Sequence, residues 1–185
     1  MRRLIFLTAS VFNLLLLVEF TSYGQPNDAE SPVDLVNPYI GTISHLLVPT
    51  FVTVHLPNSM LRVIPERRSF TTDRMNGLPV VTTSHRGSSA FNLSPIHGNG
   101  EDMQPIYAYS YDQEAVKPYS YDVYLDEENV DVSFAVSHQA GVYYYTYERE
   151  NEDKYLLVNN RNGKISIDKN AVSGYQIVSG NGTKV

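Results

Sequence analysis

The chain contains no cysteine and no tryptophan, although it contains 14 tyrosines. Without cysteine it can form no disulfide, no thiolate metal site and no thiol nucleophile, and it cannot be lipidated at an N-terminal cysteine. Basic residues are also outnumbered: 14 lysines and arginines stand against 20 acidic residues, which gives a formal net charge of −6. Nucleic-acid binding needs a basic surface that neutralises phosphates, so this composition gives no reason to expect it.

Long apolar runs are missing except at the N-terminus. Arg2 and Arg3 precede an apolar run from Leu4 to Val18, and the small residues around Ser22–Gly24 fit a cleavage site. This order predicts a secretory signal peptide over residues 1–24. The alternative is a membrane anchor, but the run is shorter than the roughly 20 residues that a spanning helix needs. We therefore expect an exported protein, either periplasmic or extracellular.

The remaining chain is long enough for one domain with a hydrophobic core. A polar, proline-bearing stretch at residues 25–33 is expected to be a flexible lead-in, and residues 34–185 are expected to form the domain. Residues 179–185 resemble a hairpin turn that waits for its second strand. The sequence therefore allows that the domain is incomplete at its C-terminus.

The mature part shows no amphipathic pattern long enough for a helix of three turns. Between Val36 and His97 six prolines interrupt the chain, and an interior proline removes a helical hydrogen bond. Instead, apolar residues alternate with polar ones, most cleanly from Val130 to Val136. Short strands with turn signals about every 8–12 residues are typical of antiparallel sandwiches and barrels. The sequence predicts an all-β fold, specifically an antiparallel β-sandwich.

Alternation and turn residues also predict the individual strands. The expected strands cover residues 50–56, 61–64, 78–84, 90–93, 106–111, 119–125, 130–136, 142–147, 154–158, 165–167 and 175–178. The charged stretch 66–77 and residues 96–104 are expected to be loops.

Common catalytic motifs are absent from the sequence. It has neither H-E-x-x-H, which binds zinc on a helix, nor G-x-S-x-G, which exposes a nucleophilic serine. Its carboxylates are concentrated in turns, where they usually face solvent. His55 and His138 fit the strand pattern and are interpreted as structural. His45, His85 and His97 lie in expected loops and could meet in space to form a metal site. Loop histidines are more commonly surface residues or hydrogen-bonded residues.

Two further groups of residues leave alternatives open. The arginines of residues 62–86 could hold an anion or sugar hydroxyls, or they could form ion pairs with Glu66, Asp73 and neighbouring carboxylates. The tyrosine-rich run 143–147 could stack on sugar rings, or it could be the buried and exposed faces of one strand, since tyrosine favours sheets.

Two blocks of the sequence carry a resemblance to a known family. Residues 34–42 read DLVNPYIGT, and residues 109–125 read YSYDQEAVKPYSYDVYL. The first resembles the (D)-x-VNP(F/Y)IGT segment that opens glycoside hydrolase family 92, the exo-acting α-mannosidases. The second is similar to the family pattern YSH-x-x-E-x-A-x-P-x-Y-Y-S-V-x-L. Residues 83–94 depart from the family motif G-F-S-H-x-H-L-S-G, because they keep one histidine and lack the other.

The resemblance implies an N-terminal β-sandwich followed by an α/α-barrel catalytic domain, with the active site between them. It also implies calcium-dependent hydrolysis of α-mannosides in glycans with inversion, which requires two carboxylates about 6.5–9.5 Å apart. In the family, the catalytic acid, the catalytic base and the calcium ligands belong to the barrel. No catalytic residue, metal ligand or cofactor is therefore expected within this chain, and the chain alone is expected to be inactive.

The expected contribution of the chain is to lend two loops, residues 43–45 and 84–89, to the sugar pocket. Four loop residues are candidates for hydrogen bonds to mannose or to the leaving sugar: His45, His85, Arg86 and Ser88. A rival hypothesis is a standalone exported carbohydrate-binding or adhesion sandwich. The two differ in a testable way, because a separated half of an enzyme should expose an apolar face, whereas a binding module should bind mannosides without a partner.

Overall fold

The computed structural model describes residues 31–42, 50–69, 72–83, 89–98, 108–178 and 182–185. The chain divides into two units, Met1–Leu35 and Val36–Val185. In the first unit the described residues form a 3-10 helix, Pro32–Leu35, with no buried residue. The predicted signal peptide and most of the predicted lead-in lie outside the described residues. Within the described ranges no helix is long and apolar enough to cross a membrane.

The described part of the second unit is built from strands. In chain order they are β1 (Arg74–Met75), β2 (Leu78–Thr82), β3 (Ser89–Gly98), β4 (Tyr109–Val116), β5 (Ser120–Leu125), β6 (Val130–Val136), β7 (Gly141–Tyr147), β8 (Asp153–Asn159), β9 (Gly163–Asp168) and β10 (Ala171–Gln176). Every pairing between them is antiparallel. The prediction of an all-β antiparallel sandwich is confirmed.

The strands form three sheets. The larger sheet has the order β1-β4-β5-β6-β7, the smaller has the order β2-β3-β8, and β9 and β10 form a separate hairpin. The core contains residues from both multi-stranded sheets and from the segments 50–56 and 61–64 before them. Its buried members are Val52, Val54, Val63, Met75, Leu78, Tyr109, Val116, Tyr121, Val123, Leu125, Val130, Val132 and Phe134.

Alternation explains the strands of the larger sheet. In β6 the side chains of Val130, Val132 and Phe134 are at most 3% exposed, whereas Asp131 and Ser133 face solvent. Each apolar side chain of this size contributes about 1.5–3 kcal/mol when it leaves water. A shift of one residue would turn all of them outward, so burial fixes the register of β6 against its neighbours.

Three tyrosines link the two multi-stranded sheets through their hydroxyls. Tyr109 of β4 donates to the Pro95 carbonyl at 2.9 Å, and Tyr143 of β7 donates to the Pro79 carbonyl at 2.8 Å. Tyr147 donates to the backbone carbonyl of Tyr155 at 2.9 Å. We call these three side chains the tyrosine ties. Tyr143 and Tyr147 face the smaller sheet, whereas Tyr144 is 68% exposed. The run 143–147 therefore forms the two faces of one strand, which was the structural interpretation of this run.

The structure also differs from the predicted strands in places. Strand β1 lies within the expected loop 66–77, and β3 continues through Ile96–Gly98, where a loop was expected. Met75 is fully buried and Ile96 is 1% exposed, so tertiary packing outweighs the charged neighbouring sequence. Residues 50–56 form no strand, and among the described residues one bridge, between Val54 and Val63, pairs them.

The described residues on either side of the predicted C-terminal turn pair with each other. Val185 and Gln176 exchange backbone hydrogen bonds of 2.9 and 2.8 Å, and Ile177 pairs with Lys184. The expectation of an unpaired turn was therefore wrong. The sequence pattern concealed this pairing because Thr183–Val185 is too short to show alternation.

Candidate functional site

The four predicted sugar-binding residues lie outside the described residues. His45 belongs to the segment 43–49, and His85, Arg86 and Ser88 belong to the segment 84–88. Their role stays a prediction. The structure does describe the residues that flank both segments, and these flanking residues define where each segment begins and ends.

The residues that flank the segment 43–49 lie side by side. The Thr50 amide donates to the Gly41 carbonyl at 2.9 Å, and the Thr42 amide donates to the Tyr39 carbonyl at 3.1 Å. Gly41 has φ of 87°, which a glycine adopts without strain. A Cβ at Gly41 would lie 3.2 Å from the Thr50 hydroxyl oxygen. The VNPYIGT segment thus closes the base of the first predicted loop.

The residues that flank the segment 84–88 are also paired. Thr82 at the end of β2 lies opposite Ser89 at the start of β3. The Ser89 hydroxyl donates to the Glu66 carboxylate at 2.7 Å, and the Gln176 side-chain amide donates to the Ser89 carbonyl at 3.0 Å. The second predicted loop therefore starts and ends on a hydrogen-bonded base.

One short segment, Arg62–Ile64, hydrogen-bonds to the base of the second loop and shares a cavity with the base of the first. The Thr82 amide donates to the Arg62 carbonyl at 2.8 Å, and the Ile64 amide donates to the Thr82 hydroxyl at 3.1 Å. Arg62 and Ile64 also line a cavity together with Thr50. The bases of the two predicted loops, which are distant in sequence, are thereby brought to the same region of the fold.

The cavity has a volume of about 340 Å³. Its lining consists of Pro38, Thr50, Phe51, Thr53, His55, Arg62 and Ile64. We call it the Arg62 cleft. Ligand pockets in proteins usually measure about 300–1,000 Å³, so the Arg62 cleft has room for a group of about monosaccharide size. No carboxylate occurs among its described lining residues.

Alternation explains how the segment 50–56 supplies one wall of the Arg62 cleft. Val52 and Val54 are 5% and 1% exposed because they point into the core. Phe51, Thr53 and His55, the residues of opposite parity, therefore line the cleft. The sequence pattern separated these two faces correctly. It did not single out the outward face as a site, since His55 was interpreted as structural.

Arg62 differs from the paired arginines of the domain. Arg67 pairs with Glu114, Arg74 pairs with Glu127 at 2.9 Å, and Arg161 pairs with Glu66. Ion pairing was thus correctly anticipated for Arg67 and Arg74, although the partners are neither Glu66 nor Asp73. The side chain of Arg62 is half-buried and makes no hydrogen bond or ion pair with any residue of the described ranges.

A partly buried polar cluster joins the VNPYIGT segment, residues 36–42, to the second resemblance block. Glu114 accepts hydrogen bonds from Arg67 and from the Tyr121 hydroxyl, the latter at 2.8 Å. The Tyr39 hydroxyl of the VNPYIGT segment donates to the Glu114 carbonyl at 3.3 Å, and the Arg67 guanidinium lies 4.7 Å from the centre of the Tyr111 ring. This cluster fixes the position of residues 36–42 against residues 109–125.

The charges of this cluster stabilise each other. Burial raises the pKa of Tyr121 well above its usual value, and the nearby Glu114 carboxylate adds to that effect. Burial lowers the pKa of Arg67, but Glu114, Tyr121 and Tyr111 raise it by more, so the net pKa is raised. Both side chains of the Arg67–Glu114 pair are nearly buried, and their chemistry is that of a structural ion pair.

His97 lies in a strand, which contradicts the expectation of a loop. It belongs to β3, its ring is 1% exposed, and its Nδ1 lies 3.1 Å from a Glu128 carboxylate oxygen. The Tyr147 ring packs edge-on against it, with ring centres 4.9 Å apart. Burial in β3 makes His97 a packing residue. No group of three or more histidine and carboxylate side chains capable of holding a metal ion occurs among the described residues.

Comparisons with known proteins agree with the resemblance. Residues 35–185 match the Glycosyl hydrolase family 92 N-terminal domain. A comparison with curated protein sequences finds no significant match. Among solved structures, a family 92 alpha-mannosidase from Bacteroides thetaiotaomicron has a similar fold, with a TM-score of 0.50 and 20% sequence identity. The match covers 62% of this chain and 18% of that mannosidase, so this chain spans a small part of its length. Because the family match extends over most of the sequence, the chain belongs to the glycosyl hydrolase family 92 N-terminal domain family.

Proposed function

We propose that this chain is the N-terminal β-sandwich portion of an exported, calcium-dependent, inverting α-mannosidase that acts on the α-mannosides of glycans. In this proposal the sandwich lends loops to an active site shared with an α/α-barrel domain, and it is inactive alone. One observation carries the proposal: Arg62 and Ile64, which hydrogen-bond to Thr82 at the base of the second predicted loop, line the Arg62 cleft together with Thr50 at the base of the first.

The described chemistry of the cleft suits binding and does not suit hydrolysis. The Arg62 guanidinium offers five N–H donors, and two threonine hydroxyls and the His55 ring add further polar groups. Inverting hydrolysis needs one carboxylic acid and one carboxylate on opposite sides of the scissile bond. Since the described lining supplies neither, both come from the barrel in this proposal, and the sandwich positions the sugar.

Calcium has no evident site in the described part of this domain. Calcium takes six to eight oxygen ligands, and carboxylates supply many of them. The described residues contain no suitable cluster. In this proposal the calcium ligands belong to the barrel, as the family resemblance implies, and the sandwich contributes none.

Export is the remaining element of the proposal. It rests on the sequence alone, where the arginines at positions 2 and 3 and the apolar run that follows have the order of a signal peptide. In this proposal cleavage after residue 24 releases the domain into the periplasm or the medium, where glycan substrates are accessible.

The described surface also has an apolar groove that supports contact with a further domain. This groove, of about 350 Å³, is lined by Val80, Phe91, Leu93, Val158, Val172, Ser173 and Gly174. Val80 and Val172 are 42% and 52% exposed. Exposed apolar surface of this kind is expected where a missing half would cover it.

The first prediction concerns activity. Purified residues 25–185 should not hydrolyse an aryl α-mannoside in the presence of calcium, because the described cleft lining has no carboxyl group to act as the general acid or base of inverting hydrolysis. Release of the aryl alcohol, followed by absorbance, measures this. The matched control is the same preparation supplemented with a separately expressed barrel from a family 92 enzyme. Calcium-dependent hydrolysis by residues 25–185 alone would contradict the proposal.

The second candidate function is a standalone exported carbohydrate-binding or adhesion sandwich. The observation in its favour is that the described lining of the Arg62 cleft offers a guanidinium, two threonine hydroxyls and an imidazole, which suit hydrogen bonds to sugar hydroxyls. Titration calorimetry with methyl α-mannoside separates the two candidates. Specific binding by the isolated domain supports the binding module, whereas weak or absent binding together with aggregation supports the separated half of an enzyme.

A further inference from the structure

The Arg62 cleft holds a positive charge that no described lining residue neutralises, in a protein that is negative overall. The formal net charge of the chain is −6, and four other arginines each lie within ion-pair distance of a carboxylate. Arg62 is half-buried in the cleft wall and has no such partner in the described ranges. A cation that is partly removed from water gains most from an opposite charge, since desolvation is otherwise unfavourable.

The groups around Arg62 match an anion. The described lining contains hydroxyls from Thr50 and Thr53, the ring of His55 and no carboxylate. The Thr53 hydroxyl donates to the Phe51 carbonyl at 2.9 Å, so its oxygen remains an acceptor for a ligand hydroxyl. A planar guanidinium binds phosphate, sulfate or carboxylate through two parallel hydrogen bonds. The cleft thus offers a cation for an oxyanion and acceptors for a polyol.

From this arrangement we propose that the Arg62 cleft binds an oxyanion carried on a monosaccharide, with Arg62 paired to the oxyanion. The volume of about 340 Å³ leaves space for a sugar ring beside the charged group. This inference goes beyond the proposed function, because oxyanion binding requires neither hydrolysis nor a barrel. It applies equally to the standalone sandwich.

The test is titration calorimetry of the purified domain with four probes. Mannose 6-phosphate carries the oxyanion as a phosphate, mannuronic acid carries it as a carboxylate, methyl α-mannoside is neutral, and inorganic phosphate lacks the sugar. We expect one of the two charged sugars to bind at least about tenfold more tightly than the neutral sugar, as a charge-assisted hydrogen bond implies. The tighter charged sugar identifies which oxyanion the cleft takes.

Variants of two arginines locate the site. Arg62→Gln should weaken binding of the tighter charged sugar about tenfold or more, and Arg62→Lys should weaken it less, because the charge remains while the two-pronged geometry is lost. Arg68→Gln is the matched control, since Arg68 is exposed, lies outside the cleft lining and loses the same charge. The affinity of Arg68→Gln for the same charged sugar should stay within about twofold of that of the unaltered domain. Circular dichroism checks that each variant is folded.

Each result has a definite meaning. Equal binding by Arg62→Gln and the unaltered domain, or no binding of either charged sugar, overturns the proposal. Binding of inorganic phosphate as tightly as mannose 6-phosphate overturns the sugar part of it. Absent methyl α-mannoside binding with retained oxyanion binding counts against the standalone mannoside-binding module alone, whereas calcium-dependent hydrolysis by residues 25–185 overturns only the proposed function, so the failures are distinguishable.

Discussion

Gly77 adopts a backbone angle that other residues reach only with strain, and a neighbouring side chain lies close to where a Cβ would be. Its φ is 128°, and a Cβ at this position would lie 2.5 Å from the Asn92 side-chain oxygen. Asn92 is itself buried and donates to the Glu66 carboxylate at 2.9 Å. Glycine is therefore required here for two independent reasons, its backbone freedom and its lack of a side chain.

The residue-scale prediction is that Gly77→Ala lowers the free energy of unfolding by about 2–4 kcal/mol, from backbone strain plus displacement of Asn92. Urea denaturation measures it. Gly182→Ala is the matched control, because Gly182 has φ of 80° but open space around its Cβ position. A loss equal to that of Gly182→Ala would show that the Asn92 contact contributes nothing.

The Arg67–Glu114 pair gives a second residue-scale prediction. The two side chains are only 10% and 13% exposed. Glu114→Gln should lower the free energy of unfolding by about 3–5 kcal/mol, because it leaves the Arg67 charge buried without its partner. The double variant Arg67→Met with Glu114→Gln, measured by the same denaturation, should be more stable than Glu114→Gln alone. A double variant less stable than the single one would show that the loss does not come from the unpaired charge.

At the scale of the strand, β7 offers two neighbouring tyrosines with opposite environments. The Tyr143 hydroxyl donates to the Pro79 carbonyl at 2.8 Å, whereas the Tyr145 hydroxyl is buried with no hydrogen-bond partner among the described residues. Tyr143→Phe should therefore lower the free energy of unfolding by about 1–2 kcal/mol. Tyr145→Phe should leave the free energy of unfolding unchanged or raise it. Chemical denaturation of both variants checks the difference in sign, and equal losses would contradict it.

Strands that are regular in sequence were predictable, and irregular ones were not. β6 alternates without exception, so its buried and exposed faces follow directly from the sequence. β4 contains a bulge between Asp112 and Ala115, with Gln113 at φ of 53°, and this break hid the second half of the strand. β1 has only two residues, of which Met75 is fully buried. The burial of Met75 depends on packing against residues distant in sequence, so the local sequence does not reveal it.

The candidate site follows the same logic. The family resemblance predicted two loops whose central residues lie outside the described ranges; of their flanking residues, Thr82 hydrogen-bonds to Arg62 and Thr50 lines the same cleft as Arg62. The Arg62 cleft itself was not predicted, because it depends on Pro38, Thr50 and Arg62 approaching one another across the fold. Sequence could signal that Phe51, Thr53 and His55 face away from the core, but it could not show which other elements stand opposite.

At the scale of the whole molecule, buried tyrosines make the domain sensitive to alkali. Burial, with a smaller contribution from Glu128, raises the pKa of Tyr147 to about 12, and burial raises the pKa of Tyr109 and Tyr145 as well. The unfolded chain releases these protons near pH 10, while the folded chain retains them. The folded state thus binds more protons above pH 10, and stability must fall as pH rises.

The corresponding prediction is a free energy of unfolding that is insensitive to these tyrosines below about pH 9 and declines between about pH 10 and 12. Denaturation at a series of pH values, with tyrosinate absorbance recorded in parallel, measures it. Tyr147→Phe should make the decline shallower, whereas replacement of the exposed Tyr144 by Phe should not. A decline that both variants share equally would contradict the assignment to buried tyrosines.

The tyrosine ties have a consequence for how this domain can vary in evolution. Each hydroxyl bonds to a main-chain oxygen, and every amino acid supplies that oxygen in the same place. The smaller sheet can therefore exchange its side chains at these points while keeping its attachment to the larger one. The selective constraint rests on three tyrosines and on the path of the backbone. Relatives can therefore differ at positions 79, 95 and 155 and still assemble the same two layers.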